Sequence, residues 1–188
     1  MTRQQQREET LYNVLKAAER LFVTRGFSAT TIRDIAADAG VSVGTVMSVG
    51  DKHALLVKVF EKYIADEHQQ ATRISGIPAG GTAQQQVDAL VELVTPFVEL
   101  FLARYELAQH YASMLVGGGQ PSNLFQELGD TLVQEFSQVI GASQGELKGR
   151  ALYCAYVGVL FMASAQGTSD STVIFSELRQ VFSSIVDS

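Results

Sequence analysis

Apolar positions recur at steps of three and four along most of the chain, the period of helices that each bury one face. Leu11, Val14, Leu15, Ala18, Leu21 and Phe22 predict a first helix from about Gln5 to Arg25, closed by Gly26. Thr31 with Asp34 three residues on reads as a capping box; it opens a short helix that faces inward through Ile32, Ile35, Ala36 and Ala39 and stops at Gly40. Ser42 caps a third helix, Val43 to Val49, and Asp51 is the N-cap candidate of a fourth. The stripe of that fourth helix is Leu55, Leu56, Val59, Phe60, Tyr63 and Ile64. The stretch SGIPAGG, residues 75–81, marks the main break. Beyond it, Leu90, Leu93, Val94, Phe97, Val98 and Phe101 keep the helical period through Pro96, which is expected to kink or interrupt the helix because it has no N–H for the preceding turn. GGGQPS, residues 117–122, is a second loop, followed by helices near 122–140, 146–166 and 171–186. No alternating run is long enough for a convincing strand. The expectation is an all-α chain of about nine helices.

Composition narrows the class. The 188 residues fit one large domain or two small ones, and 46% apolar with 18% charged residues excludes a disordered chain. The single cysteine, Cys154, excludes an internal disulfide, and without a Cys/His cluster no metal is implied. The polar start lacks an apolar leader core, and the longest mostly apolar stretch, Ala151 to Ala163, is shorter than the roughly 20 residues of a membrane span. A soluble cytoplasmic protein with no membrane partner is expected. The net charge of −6 is uneven: residues 1–60 carry eight Lys/Arg against six acids, +2, while 61–188 carry −8. That fits a polyanion-binding head on an acidic body, although charge drift of this size is common.

Residues Ile32 to Val49 have helix-turn-helix spacing. Ala36 is small where two helices cross, Gly40 lies four residues on where the turn takes positive φ, and Ile35, Val41, Val46 and Val49 face inward. Many structural helical hairpins share this spacing, so it does not decide function alone. The longer run RGFSATTIRDIAADAGVSVGTV, Arg25 to Val46, resembles the DNA-binding domain of tetracycline-repressor (TetR) family regulators, and DKHALL, Asp51 to Leu56, resembles the start of their fourth helix. The resemblance covers about residues 8–60; the C-terminal part matches only in length and helicity.

The resemblance implies a homodimer, a variable C-terminal ligand domain and repression relieved by a small molecule. Residues 1–60 would be the helix-turn-helix DNA-binding domain and 61–188 the helical ligand-binding and dimerisation domain. Thr31 and Arg33 would stand at the mouth of the motif, Thr31 and the helix amides for phosphate, Arg33 for a guanine edge. A bland role for Arg33, pairing with a nearby Asp, stays open. Ser42, Val43, Gly44, Thr45, Met47 and Ser48 would form the recognition helix, with Val43 and Thr45 offering apolar contact to thymine methyls. Lys52 would contact phosphate. Arg3 and Arg7 would either reach DNA from a loose arm or form a solvated terminus. The exit of the recognition helix, Met47 to Lys52, is one residue shorter than the family pattern and lacks its aromatic hydroxyl.

Phe97, Phe101, Tyr105, His110, Tyr111, Met114 and Phe125 are candidates to line a pocket for a mainly apolar effector, with plain core packing as the alternative. Few cations follow the linker, which argues against phosphate-rich effectors. Small and apolar residues of the last two helices, among them Ala151, Ala155, Gly158 and Met162, would pair two subunits or cover the subunit's own core. No Walker loop, GxSxG, HExxH, paired-Cys site or dinucleotide glycine fingerprint is present, so no enzyme and no cofactor is expected. The reading is a ligand-responsive repressor on a pseudo-palindromic double-stranded operator. Its alternative is a helical ligand-binding or interaction protein whose DNA binding has weakened or been lost.

Overall fold

The structure, a computed structural model, describes residues 2–71, 81–118, 123–141 and 145–188. Among these every regular element is an α-helix: α1 (Arg3–Arg25), α2 (Ile32–Ala39), α3 (Val43–Val49), α4 (Lys52–Ala71), α5 (Ala83–Ala103), α6 (Tyr105–Gly117), α7 (Asn123–Ile140), α8 (Gly145–Gln166) and α9 (Ser171–Val186). No helix among the described residues is long and apolar enough to cross a membrane.

Local chemistry sets the helix ends. Thr2 caps α1 in a capping box with Gln5, so α1 begins two residues before the expected start. The Asp51 carboxylate accepts the Ala54 N–H at 2.8 Å and caps α4. Pro96 does not interrupt α5, which runs as one helix through it. There the lost backbone donor is tolerated within a helix whose Val87, Leu90, Val94, Val98 and Phe101 are all buried.

The chain forms two compact units. One comprises residues 1–63 and 104–122, the other 64–103 and 123–188. The first therefore holds α1 to α3, the part of α4 up to Tyr63, and α6. The reason is aromatic packing. Tyr111 of α6 stacks on Phe60 of α4 with ring centroids 4.7 Å apart, and His110 lies on Phe27 at 4.6 Å. In the first unit α1 packs on α2 and α3 around Val14, Ala18, Phe22, Ile35, Ala36 and Val46. In the second, α7 packs on α8, and α5 and α8 on α9, around Phe136, Leu152, Ile174, Leu178 and Phe182.

Candidate nucleic-acid interface

The turn between α2 and α3 is built from three local devices. The Thr31 hydroxyl accepts the Asp34 N–H at 3.2 Å while the Asp34 carboxylate accepts the Thr31 N–H at 2.9 Å, closing the capping box that starts α2. Gly40 takes φ +67°, a left-handed conformation that L side chains rarely adopt, and the Val41 N–H returns to the Ala36 carbonyl at 3.0 Å. Ser42 then caps α3 by accepting the Thr45 N–H at 3.0 Å. Ala36 is buried at the crossing, and Val46 is the buried residue of α3. Val41 and Val49 sit half-buried at its edges.

This arrangement leaves Ser42, Val43, Gly44, Met47 and Ser48 exposed on one side of α3, with Thr45 half-buried between them. A Cβ on Gly44 would meet only the Ser42 hydroxyl, at 3.7 Å, so the head does not itself require glycine there. Its bareness lets another backbone approach.

Ion pairs sort the charges of α2. Asp34 faces Arg25 at 3.6 Å and Asp38 is bridged to Arg20, both across to α1. Arg33 is exposed and has no carboxylate partner among the described residues, which answers the bland reading of that cation.

Two expected phosphate ligands are otherwise engaged. The Thr31 hydroxyl donates to the Asp34 carboxylate at 2.6 Å. These bonds hold the Asp34 carboxyl below its usual range, with Arg25 adding to the effect. A carboxylate thus occupies the mouth of α2 where phosphate was expected, and like charge disfavours both together. The Lys52 ammonium donates to the carbonyls of Phe27 and Thr30, each at 3.0 Å, and lies 4.3 Å from the Phe27 ring centroid. It fastens the α1–α2 loop from inside the unit.

Other cations border α3. Because α1 extends back to Arg3, its first turns line a concavity of about 720 Å³ that includes Arg3, Arg7, Thr45, Ser48 and Lys58. Sequence reading treated Arg3 and Arg7 as a loose arm or a solvated end. The signal was present in Thr2 followed by Gln5, the capping box that places both arginines on helix. Lys58 donates to the Val49 carbonyl at 2.7 Å and so ties the end of α3 to α4.

The expected effector residues divide between the units. Phe97 and Phe101 are buried in α5, with His68 of α4 ring-to-ring with Phe97 at 6.2 Å. Tyr105, His110, Tyr111 and Met114 belong to α6 in the first unit. There His110 and Tyr111 pack on Phe27 and Phe60. The Phe125 side chain lies outside the described residues. Sequence reading also missed Arg104, whose guanidinium covers the Tyr63 ring at 4.1 Å, and Glu135, a half-buried carboxyl pushed upward by burial.

Comparison with known proteins agrees with this geometry. Residues 14–48 match the family described as "Bacterial regulatory proteins, tetR family". Over 84 residues the chain is 33% identical to the uncharacterized HTH-type transcriptional regulator YerO of Bacillus subtilis (strain 168), a stretch that is 42% of this chain and 29% of that protein. The match thus spans less than a third of that relative. Among solved structures, the fold resembles Thermus thermophilus FadR, a TetR-family transcriptional repressor in complex with lauroyl-CoA, with TM-score 0.67 and 23% identity over 91% of this chain and 90% of that one. It also resembles a TetR transcriptional regulator from Rhodococcus sp. RHA1, with TM-score 0.64 and 18% identity over 98% and 97% of the two chains. NalD, the secondary repressor of the MexAB-OprM multidrug efflux pump in Pseudomonas aeruginosa, follows with TM-score 0.51 and 21% identity over 93% and 94%. At these identities the structural likeness is one of fold.

Proposed function

Because the chain belongs, by its N-terminal domain, to the tetR family of bacterial regulatory proteins, we propose that it is a ligand-responsive repressor. It binds a pseudo-palindromic operator as a homodimer, one α3 in each of two successive major grooves. The observation that carries this reading is the exposed face of α3, left bare by a helix-turn-helix that buries Ala36 and Val46 and frees Arg33. Arg33 reads a guanine edge. Arg3 and Arg7, which line a concavity together with Thr45 and Ser48 of α3, make DNA-backbone contacts in addition to those the resemblance implies for Thr31 and Lys52.

Dimerisation uses the outward face of α8, where Leu147, Ala151, Gly158 and Met162 follow one another along the helix without burial in their own subunit. A mainly apolar effector is held in the second unit near Phe97 and Phe101. Its binding reaches the head along the chain: α5 is joined to α6 by Arg104 alone, and α6 packs on Phe27, in the loop that launches α2. Shifting that loop tilts the motif.

The test is fluorescence anisotropy of the purified full chain on duplex DNA taken from upstream of its own gene, over a range of salt concentrations. A linear fall of log K with log salt, at a stoichiometry of two chains per duplex, is the expected result. A chain that is strictly monomeric and indifferent to every duplex at low ionic strength supports the reading as an interaction protein instead.

A further inference from the structure

The chemistry of the exposed α3 face specifies the kind of base sequence it reads, an inference that rests on the operator-binding proposal above. Its hydroxyls are already engaged within the helix. Ser42 Oγ and Thr45 Oγ1 share a hydrogen bond of 2.8 Å, Ser42 Oγ also accepts the Thr45 N–H, and Ser48 Oγ donates to the Thr45 carbonyl at 2.7 Å. Two of the three hydroxyl hydrogens are therefore spent before any base arrives. Gly44 contributes no side chain. What projects freely is apolar: Val43 is 43% exposed and Met47 50% exposed, one helical turn apart on the same side.

In the major groove the one methyl that a base edge presents is the C5-methyl of thymine; cytosine offers only a C–H there, and the remaining recognition groups are hydrogen-bond donors or acceptors. Setting Val43 or Met47 against a donor or acceptor would strip it of water without replacing the bond. Against a methyl, the same contact buries apolar surface on both sides. We propose that Val43 and Met47 each read a thymine methyl, so that a half-site carries two thymines beside the guanine contacted by Arg33. One helical turn rises about 5.4 Å and base pairs stack about 3.4 Å apart, which places the two thymines one or two steps from each other. Val43 is stiff at χ1 and reads its thymine strictly; Met47 is flexible and tolerates a shift.

The experiment starts from a random-core duplex pool enriched on the full-length protein, followed by anisotropy on the selected duplex. Replacing the two thymines by deoxyuridine removes only the methyls and is expected to weaken binding about fourfold per site. Replacing a T·A pair by 5-methylcytosine·G keeps a methyl at the same place, and is expected to bind about fourfold better than unmethylated C·G. Val43→Ala and Met47→Ala each abolish the thymine-over-uracil preference at one position; both residues are exposed, and circular dichroism verifies that the helices persist. A selected site without thymines opposite α3, or equal affinity for thymine and uracil duplexes, overturns the inference while leaving operator binding intact. Failure to bind any duplex at low salt overturns the operator proposal, and this inference with it.

Discussion

At the scale of single residues, Lys52 and Arg33 are both cations in the head, but their surroundings give them opposite tasks. Lys52 holds two carbonyls of the α1–α2 loop, and hydrogen bonds to a charged group contribute about 1.5–3 kcal/mol each. Lys52→Ala is expected to destabilise the chain by about 2 kcal/mol or more in thermal unfolding. It should leave the slope of log K against log salt unchanged, whereas losing a phosphate lysine lowers that slope by about one. Arg33→Ala should do the reverse. Its unfolding free energy stays within about 0.5 kcal/mol of the parent, while discrimination at one base pair falls by about 1–3 kcal/mol. Glu135 offers a pH test. Burial raises its carboxyl and His68 opposes this in part, so the folded chain holds the proton more tightly than the unfolded one. The stabilisation is complete below the ordinary carboxylate range and fades as pH rises through the folded pKa. Glu135→Gln should therefore raise the melting temperature at pH 7 and change little below about pH 4, in paired melting curves.

At the scale of elements, the contrast between Gly40 and Gly149 separates what is written locally from what is not. A Cβ on Gly40 meets nothing within 4 Å, so Gly40→Ala pays only for the left-handed backbone, about 1–2 kcal/mol. A Cβ on Gly149 would lie 2.7 Å from the Val133 carbonyl and closer still to the Ser137 hydroxyl, forcing α7 and α8 apart. Gly149→Ala is expected to cost about 1–3 kcal/mol in urea unfolding, and Gly149→Val more. The turn at Gly40 is legible in the sequence because its causes lie within four residues: a small residue, a glycine and two caps. The same locality made α2, α3 and the start of α4 readable. The α7–α8 crossing is not legible, because what Gly149 must avoid, Ser137 and Val133, lies twelve and sixteen residues earlier on another helix. The partners of Lys52 are hidden from the sequence for the same reason: the family resemblance implies a phosphate contact, while Phe27 and Thr30, which it bonds, are reached only through the fold. For Tyr111, helical periodicity marks a buried face without saying that Phe60 covers it.

At the scale of the whole molecule, the division of charge persists when the units are taken as the structure draws them. The first unit holds ten Lys/Arg against eight acids and the second four against twelve, so α6 joins the head without altering its excess of +2. A head so weakly basic gains little from one copy, and operator affinity then depends on joining two copies. Joining raises the effective concentration of the second head to about the millimolar range. The proposed join is the outward face of α8, where a Cβ on Gly158 meets nothing within 4 Å and Met162 is 54% exposed. Gly158→Glu should therefore leave each subunit folded. Across a two-fold axis it sets like charges in an apolar contact, a desolvation that neither copy can relieve. Sedimentation equilibrium is expected to show monomers with unchanged helical circular dichroism. Anisotropy on the selected duplex should show affinity lost by two orders of magnitude or more, roughly the gain that linkage supplies. A variant that stays dimeric and keeps its operator affinity would move the interface to another face of the chain.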